Sequence, residues 1–142
     1  MLLDPAGFVA LGGATDAADL PTTEDAVSRS RKGATDAYIA IVDPTGGGVP
    51  YFSYLGGSGA DTLNGMSLGP GGNLYITGQT ASADFPVTEG AYQSRMAGAP
   101  DGYLVRLSQD RRRIEYATYL GGSQPDGGTA PAAGPPEDWQ PR

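Results

Sequence analysis

Sixteen acidic residues and a complete lack of histidine and cysteine decide which chemistry this 142-residue chain can attempt. Ser-His-Asp catalysis, imidazole bases, thiolate nucleophiles, disulfides and the usual zinc and haem ligands all drop out. Carboxylate pairs remain, and two of them flanking a substrate suffice for acid/base work on a glycosidic bond. The candidates are Asp19, Glu24, Asp36 and Asp61, with counterparts 65 residues later at Asp84, Glu89, Asp101 and Asp126. A catalytic pair is needed once, whereas a turn is needed in every repeat. Carboxylates that recur once per unit are therefore expected to hold loops. Asp36 and Asp101 fall just before strands, and Asp84-Phe-Pro-Val-Thr88 has the short polar groups and proline that fix a loop backbone.

A second possibility is calcium. Gly56-Gly-Ser-Gly-Ala-Asp-Thr-Leu-Asn-Gly65 has the glycine and aspartate spacing of the calcium-binding nonapeptide of RTX β-rolls. In such rolls the ion sits between stacked consecutive turns, so one copy supplies only part of a six-to-eight-oxygen shell. No copy starts at 65, and the repeat-equivalent Gly121-Gly-Ser-Gln-Pro-Asp126 lacks the second half. Asp61 is expected to cap its own backbone in a glycine-rich turn, and Asp61→Ala to cost about 1 kcal/mol, the same in calcium and in chelator. The basic clusters Arg29-Ser-Arg-Lys32 and Arg111-Arg-Arg113 read as solvated turns, since the counterpart of the latter is the neutral Gly46-Gly-Gly48. Tyr51 and Tyr116 lie, by alternation, on the opposite face from Tyr54 and Tyr119, so at most one pair could form a ligand platform, and packing between sheets is the expectation. No catalytic, cofactor-binding or metal-ligating residue is assigned, and no cofactor is expected.

The elements that carry these residues come from an internal repeat. Tyr51-Phe-Ser-Tyr-Leu-Gly-Gly-Ser58 returns as Tyr116-Ala-Thr-Tyr-Leu-Gly-Gly-Ser123. The same offset maps Gly13 to Gly78, Pro21 to Pro86, Thr23 to Thr88, Gly33 to Gly98 and Tyr38 to Tyr103 without a gap. Over 5–58 against 70–123 there are about 20 identities in about 54 pairs, far more than shared composition supplies. The first unit, 1–58, is expected to be truncated at its start, because Met1 falls on Met66. The second spans 59–123. From 124 to 142 the register is lost in Gly127-Gly-Thr-Ala-Pro-Ala-Ala-Gly-Pro-Pro136, which predicts a disordered tail that includes Trp139 and whose removal leaves stability unchanged.

Period-2 patterning predicts strands over Asn73–Thr80, Gly102–Leu107, Tyr38–Val42, Val49–Leu55 and Ile114–Leu120, with a weaker one at Asn64–Leu68. Pro70-Gly-Gly72, Asp43-Pro-Thr-Gly46 and Gln109-Asp-Arg-Arg112 supply turns. No stretch shows helical spacing. The reading is all-β: a fragment of a β-propeller made of two four-stranded antiparallel blade-like repeats of 65-residue period. That period exceeds an ordinary blade by about 20 residues, which the loop from Ala81 to Pro100 can absorb. Two halves of a sandwich are the alternative, and a sandwich has no need of identical halves.

Tyr54-Leu-Gly-Gly-Ser-Gly59, Gly72-Asn-Leu-Tyr-Ile-Thr-Gly-Gln-Thr80, Asp84-Phe-Pro-Val-Thr-Glu-Gly-Ala-Tyr-Gln93 and Asp101-Gly-Tyr-Leu-Val-Arg-Leu107 together resemble the bacterial SBBP β-propeller repeat, over residues 5 to 123. The resemblance implies a large secreted or cell-surface parent that carries many such repeats, without an assigned activity. An extracellular or cell-surface location is implied on that ground, although no signal peptide is visible at the start.

A formal net charge of -7 argues against nucleic-acid and anionic-membrane partners. The function expected is a non-enzymatic scaffold or recognition surface for a protein or glycan ligand, with a carboxylate-based carbohydrate-active or lyase-like propeller as the alternative. Two blades are expected to leave sheet faces and edges uncovered, so self-association or the missing propeller blades are the expected partners.

Overall fold

The structure is a computed structural model that describes residues 2–3, 7–97 and 100–121. Eight strands follow in chain order: β1 Leu2–Leu3, β2 Val9–Thr15, β3 Asp36–Asp43, β4 Gly48–Leu55, β5 Asp61–Leu68, β6 Leu74–Thr80, β7 Asp101–Leu107 and β8 Ile114–Leu120. They form two antiparallel four-stranded meanders, β1-β2-β3-β4 and β5-β6-β7-β8, and the described residues contain no helix. The fold is all-β, with two blade-like sheets, as a β-propeller fragment requires. Asp126, Trp139 and the stretch 124–142 lie outside the described residues.

The predicted strands are present; three differ by one residue at an end, and β3 begins two residues earlier and ends one later than Tyr38–Val42. The weak strand begins at Asp61 rather than Asn64, because a register shift between Leu63 and Gly65 hides its alternation. The turns also fall where proline and glycine placed them: Gly46 N–H donates to Asp43 O, and Gly72 N–H to Gly69 O.

Alternation decides which faces meet. In the first sheet Ala10, Ala37, Ile39, Ile41, Tyr51 and Leu55 share one face; in the second, Leu74, Ile76, Tyr103, Val105, Leu107, Ala117 and Tyr119 do. Together with Phe85 these fourteen residues form one buried cluster, so the sheets pack face to face. The approach is close where β2 crosses β5, since a Cβ added to Gly12 would lie 2.7 Å from Leu63 Cδ1.

The long loops explain the extra length of the period. Each folds back along the outer strand of its own sheet and pairs with its free edge. Thr23 N–H donates to Phe52 O (3.0 Å), Phe52 N–H to Thr23 Oγ1 (3.2 Å), and Tyr54 N–H to Ser28 O (2.9 Å). In the second unit Thr88 N–H donates to Ala117 O (3.1 Å), Ala117 N–H to Thr88 Oγ1 (3.0 Å), and Tyr119 N–H to Gln93 O (3.1 Å). The outer edges of β4 and β8, expected to be uncovered, are therefore hydrogen-bonded by the chain itself, which removes the template that an open edge offers to another strand.

Candidate functional site

Every carboxylate that recurs and falls among the described residues can be placed. Asp36 opens β3 fully buried, and its carboxylate accepts from Lys32 N–H (2.9 Å) and Gly33 N–H (3.1 Å). Asp101 opens β7 in the same way, accepting from Ala97 N–H (2.8 Å) and Gln93 Nε2 (3.1 Å). Both fasten the end of a loop to the strand that follows it, as their recurrence suggests. Asp84, on the surface, accepts from Ser58 N–H (2.7 Å) and Ser58 Oγ (3.0 Å), and the N–H bond foremost holds its carboxyl below the usual range. Asp19, Glu24 and Glu89 are exposed. The structure does not draw these groups into one cavity.

Asp61 caps its own backbone as expected, accepting from Gly57 N–H, and it does so as a fully buried side chain at the joint between the sheets. Its Oδ2 accepts from Gly57 N–H (3.0 Å), its Oδ1 from the Thr80 hydroxyl, and Ser82 Oγ lies 2.9 Å from both oxygens. Its own N–H donates to Thr35 O of the first unit (2.9 Å). Burial pushes its pKa up from 3.8 to about 6, against the pull of the Thr80, Gly57 and Ser82 donors, and the Asp36 carboxylate adds to the rise.

The linker 56–60 is glycine-rich for a steric reason. A Cβ on Gly56 would lie 2.4 Å from Asp61 Oδ2 and 3.1 Å from Asp36 Cγ, and a Cβ on Gly33 would lie 2.2 Å from Gly59 O. Backbone and carboxyl groups from both units fill the space that a side chain would need. The linker then ties down to the second loop, through Gly59 N–H to Ser82 Oγ (2.8 Å) and Ala81 N–H to Ala60 O (2.8 Å).

The tyrosines hold the edge-covering loops. Tyr54 donates its hydroxyl to Ala17 O (2.7 Å) and accepts from Leu20 N–H (3.0 Å); Tyr119 donates to Ser82 O (2.6 Å) and accepts from Phe85 N–H (3.2 Å). Tyr51 and Tyr116, on the opposite face, accept from Val27 N–H (3.4 Å) and Tyr92 N–H (2.9 Å). Neither pair forms an open platform: Tyr54 and Tyr119 are fully buried and Tyr51 nearly so. Phe85 stacks at 4.4 Å on Tyr103, whose hydroxyl donates to Thr62 O (2.7 Å).

Sequence reasoning missed Ser82, Gln93 and the role of Thr88. Thr88 carried a usable signal, its recurrence from Thr23. Ser82 and Gln93 carried none, because Ala17 and Ser28 stand at the equivalent positions.

Open concavities are shallow and polar. One of about 400 Å³ is lined by Glu24, Asp25 and Arg112, another of about 330 Å³ by Ser108, Gln109, Asp110, Arg113 and Glu115. Of the arginine cluster, Arg111 has φ of 63° and sets its guanidinium on Gly72 O (2.7 Å), and Arg113 pairs with Glu115 (3.3 Å). Among the described residues no three acidic side chains converge as a metal shell would need, and no helix is long and apolar enough to cross a membrane.

Residues 51–86 match the family model described as SBBP, a beta-propeller repeat. The match runs from β4 through the linker, β5 and β6 into the second loop, so it spans the joint and the first two strands of the second sheet. No curated protein matches the chain.

Proposed function

Starting from a chain that carries an SBBP beta-propeller repeat, we propose that it serves as a non-enzymatic scaffold segment of a larger cell-surface or secreted protein, presenting sheet faces and loops to protein or glycan ligands. One observation carries this reading. The recurring buried acids and tyrosines spend their polar atoms on the protein's own backbone, at equivalent places in both units: Asp36 and Asp101, Tyr54 and Tyr119. Groups committed to holding a repeat together are poorly available for turnover.

The partners proposed are further blades or further copies. Val9, Leu11, Tyr38, Val42 and Phe52 form a half-buried apolar face on the first sheet. The matching positions of the second sheet, Leu74, Ile76, Tyr103, Leu107 and Ala117, are covered by the first. A face of the same design favours a cover of the same kind.

Sedimentation velocity over a concentration series tests this. Association that weakens in Leu11→Lys or Phe52→Lys is expected; a monomer at every concentration, with cooperative unfolding, overturns the choice of partner. The enzymatic alternative needs two available carboxylates beside a cavity; Glu24 with Asp25 lines one concavity and Asp110 with Glu115 the other. Hydrolysis of a glycoside panel that disappears in Glu24→Gln would replace the scaffold reading; no turnover is expected.

A further inference from the structure

Two carboxyl groups are fully buried at the joint. Asp36 arrives from the first sheet and Asp61 from the second, and they flank Gly56, where an added Cβ would lie 3.1 Å from Asp36 Cγ and 2.4 Å from Asp61 Oδ2. The Asp61 carboxyl holds the linker through Gly57 N–H, and its backbone N–H holds Thr35 of the first unit. One residue thus fastens both sides of the only covalent connection between the sheets.

We propose that the Asp36–Asp61 pair makes the joint pH-sensitive: tight while Asp61 carries a proton, looser once it ionises beside Asp36. Ionisation places a negative charge in a site closed to water and next to a second carboxylate, at the point where the two sheets are tied.

The groups facing Asp61 from the surrounding elements do not neutralise it. From β7 comes Tyr103, and from β8 Tyr119; burial raises the pKa of both, and the Asp61 charge raises them further, so they face it as neutral phenols. From the second loop come the hydroxyl of Ser82 and the carboxylate of Asp84, which Ser58 keeps ionised. From the first loop comes Lys32, whose ammonium acts on Asp84 and whose N–H is committed to Asp36.

The sign follows from proton binding. Between 3.8 and about 6 the folded protein holds a proton on Asp61 that the unfolded chain has released, so stability falls as pH rises through that window and levels off above it. A rise of about two pH units corresponds to a loss of about a hundredfold in the folding equilibrium constant. This inference goes beyond the scaffold reading and rests on the joint alone, so either can fail without the other.

The experiment is carboxyl-carbon NMR of Asp61 in the full chain, with amide hydrogen exchange and denaturant unfolding at about pH 4 to pH 7. Asp61 should titrate near 6. Protection of the Asp61 amide, which donates to Thr35 O across the joint, should fall across that range, corrected for the intrinsic rate, more than protection of Val105 inside the second sheet. The hundredfold drop in folding constant should vanish in Asp61→Asn, and Asp36→Asn should lower the Asp61 midpoint. A midpoint at the ordinary 3.8, or an equal drop in wild type and Asp61→Asn, overturns the proposal. Should Asp61→Asn not fold, the wild-type titration and exchange decide alone.

Discussion

The two sheets are built on one pattern yet bury opposite faces. Tyr103 is 1% exposed and Leu107 fully buried, whereas their counterparts Tyr38 and Val42 are half-buried. On the other face the order reverses: Leu55 is 1% exposed and its counterpart Leu120 is half-buried, while Ile41, at 7%, is replaced by Arg106, whose side chain is 42% exposed and lies 3.3 Å from Glu115. Residue type does not account for this, since tyrosine and leucine stand at the same positions in both units. The neighbour does: the Ile39 face of the first sheet lies against the Ile76 face of the second, and the other face of each has no sheet against it among the described residues. What each repeat supplies is a two-faced plate, and its burial depends on what lies against each face.

That comparison can be broken at the core. Leu74→Ala should cost about 2–5 kcal/mol by denaturant unfolding, while Val9→Ala at the equivalent, half-buried position should cost about 1 kcal/mol or less. Equal costs would mean that the two faces are covered alike.

The loop anchors should instead behave identically in both units. Tyr119→Phe leaves Phe85 N–H and Ser82 O without their hydroxyl, and Tyr54→Phe does the same to Leu20 N–H and Ala17 O. Each should lose about 1–3 kcal/mol, with faster amide exchange at residue 85 or 20 respectively. A large difference between them would show that the loops are held by the packing of the sheets and not by their own pins.

Smaller still is the edge contact. Thr88→Val removes the acceptor for Ala117 N–H, and Thr23→Val that for Phe52 N–H; each should cost about 1 kcal/mol and speed exchange of the exposed amide.

The smallest effect is expected from Asp84, whose lowered pKa has the opposite consequence from the raised one at Asp61. Its bonds to Ser58 add stability that is present above 3.8 and lost as pH falls through its folded value. Because it is exposed, solvent and salt screen most of that contribution. Thermal melts below about pH 4 should converge for wild type and Asp84→Asn, with Asp19→Asn as the matched control.

Much of this architecture was legible because strands with one buried face alternate. Leu74 and Ile76 against Tyr75 and Thr77, or Val105 and Leu107 against Leu104 and Arg106, mark faces before any neighbour is known. The loops over 16–35 and 81–97 were not legible in the same way. They pair through backbone groups that every residue has, and of their specific contacts Thr88 recurs from Thr23 while Gln93 and Ser28 differ in type at equivalent positions. Asp61 was recognised as a turn residue, but its burial depends on Thr80, Ser82 and Thr35, which reach it only after both sheets have formed. Sequence spacing encodes what a residue does to its own strand; it does not encode what two strands from different units do to a carboxyl group between them.

A unit that closes its own outer edge has a consequence for how such genes can lengthen. Duplicating a stretch of 65 codons inserts a plate that arrives with its hydrogen-bonding rim already occupied, so an array caught at an intermediate number of copies exposes surfaces for stacking but no fresh outer rim for runaway strand addition. An added unit built this way therefore brings no bare outer rim for a further strand to pair with.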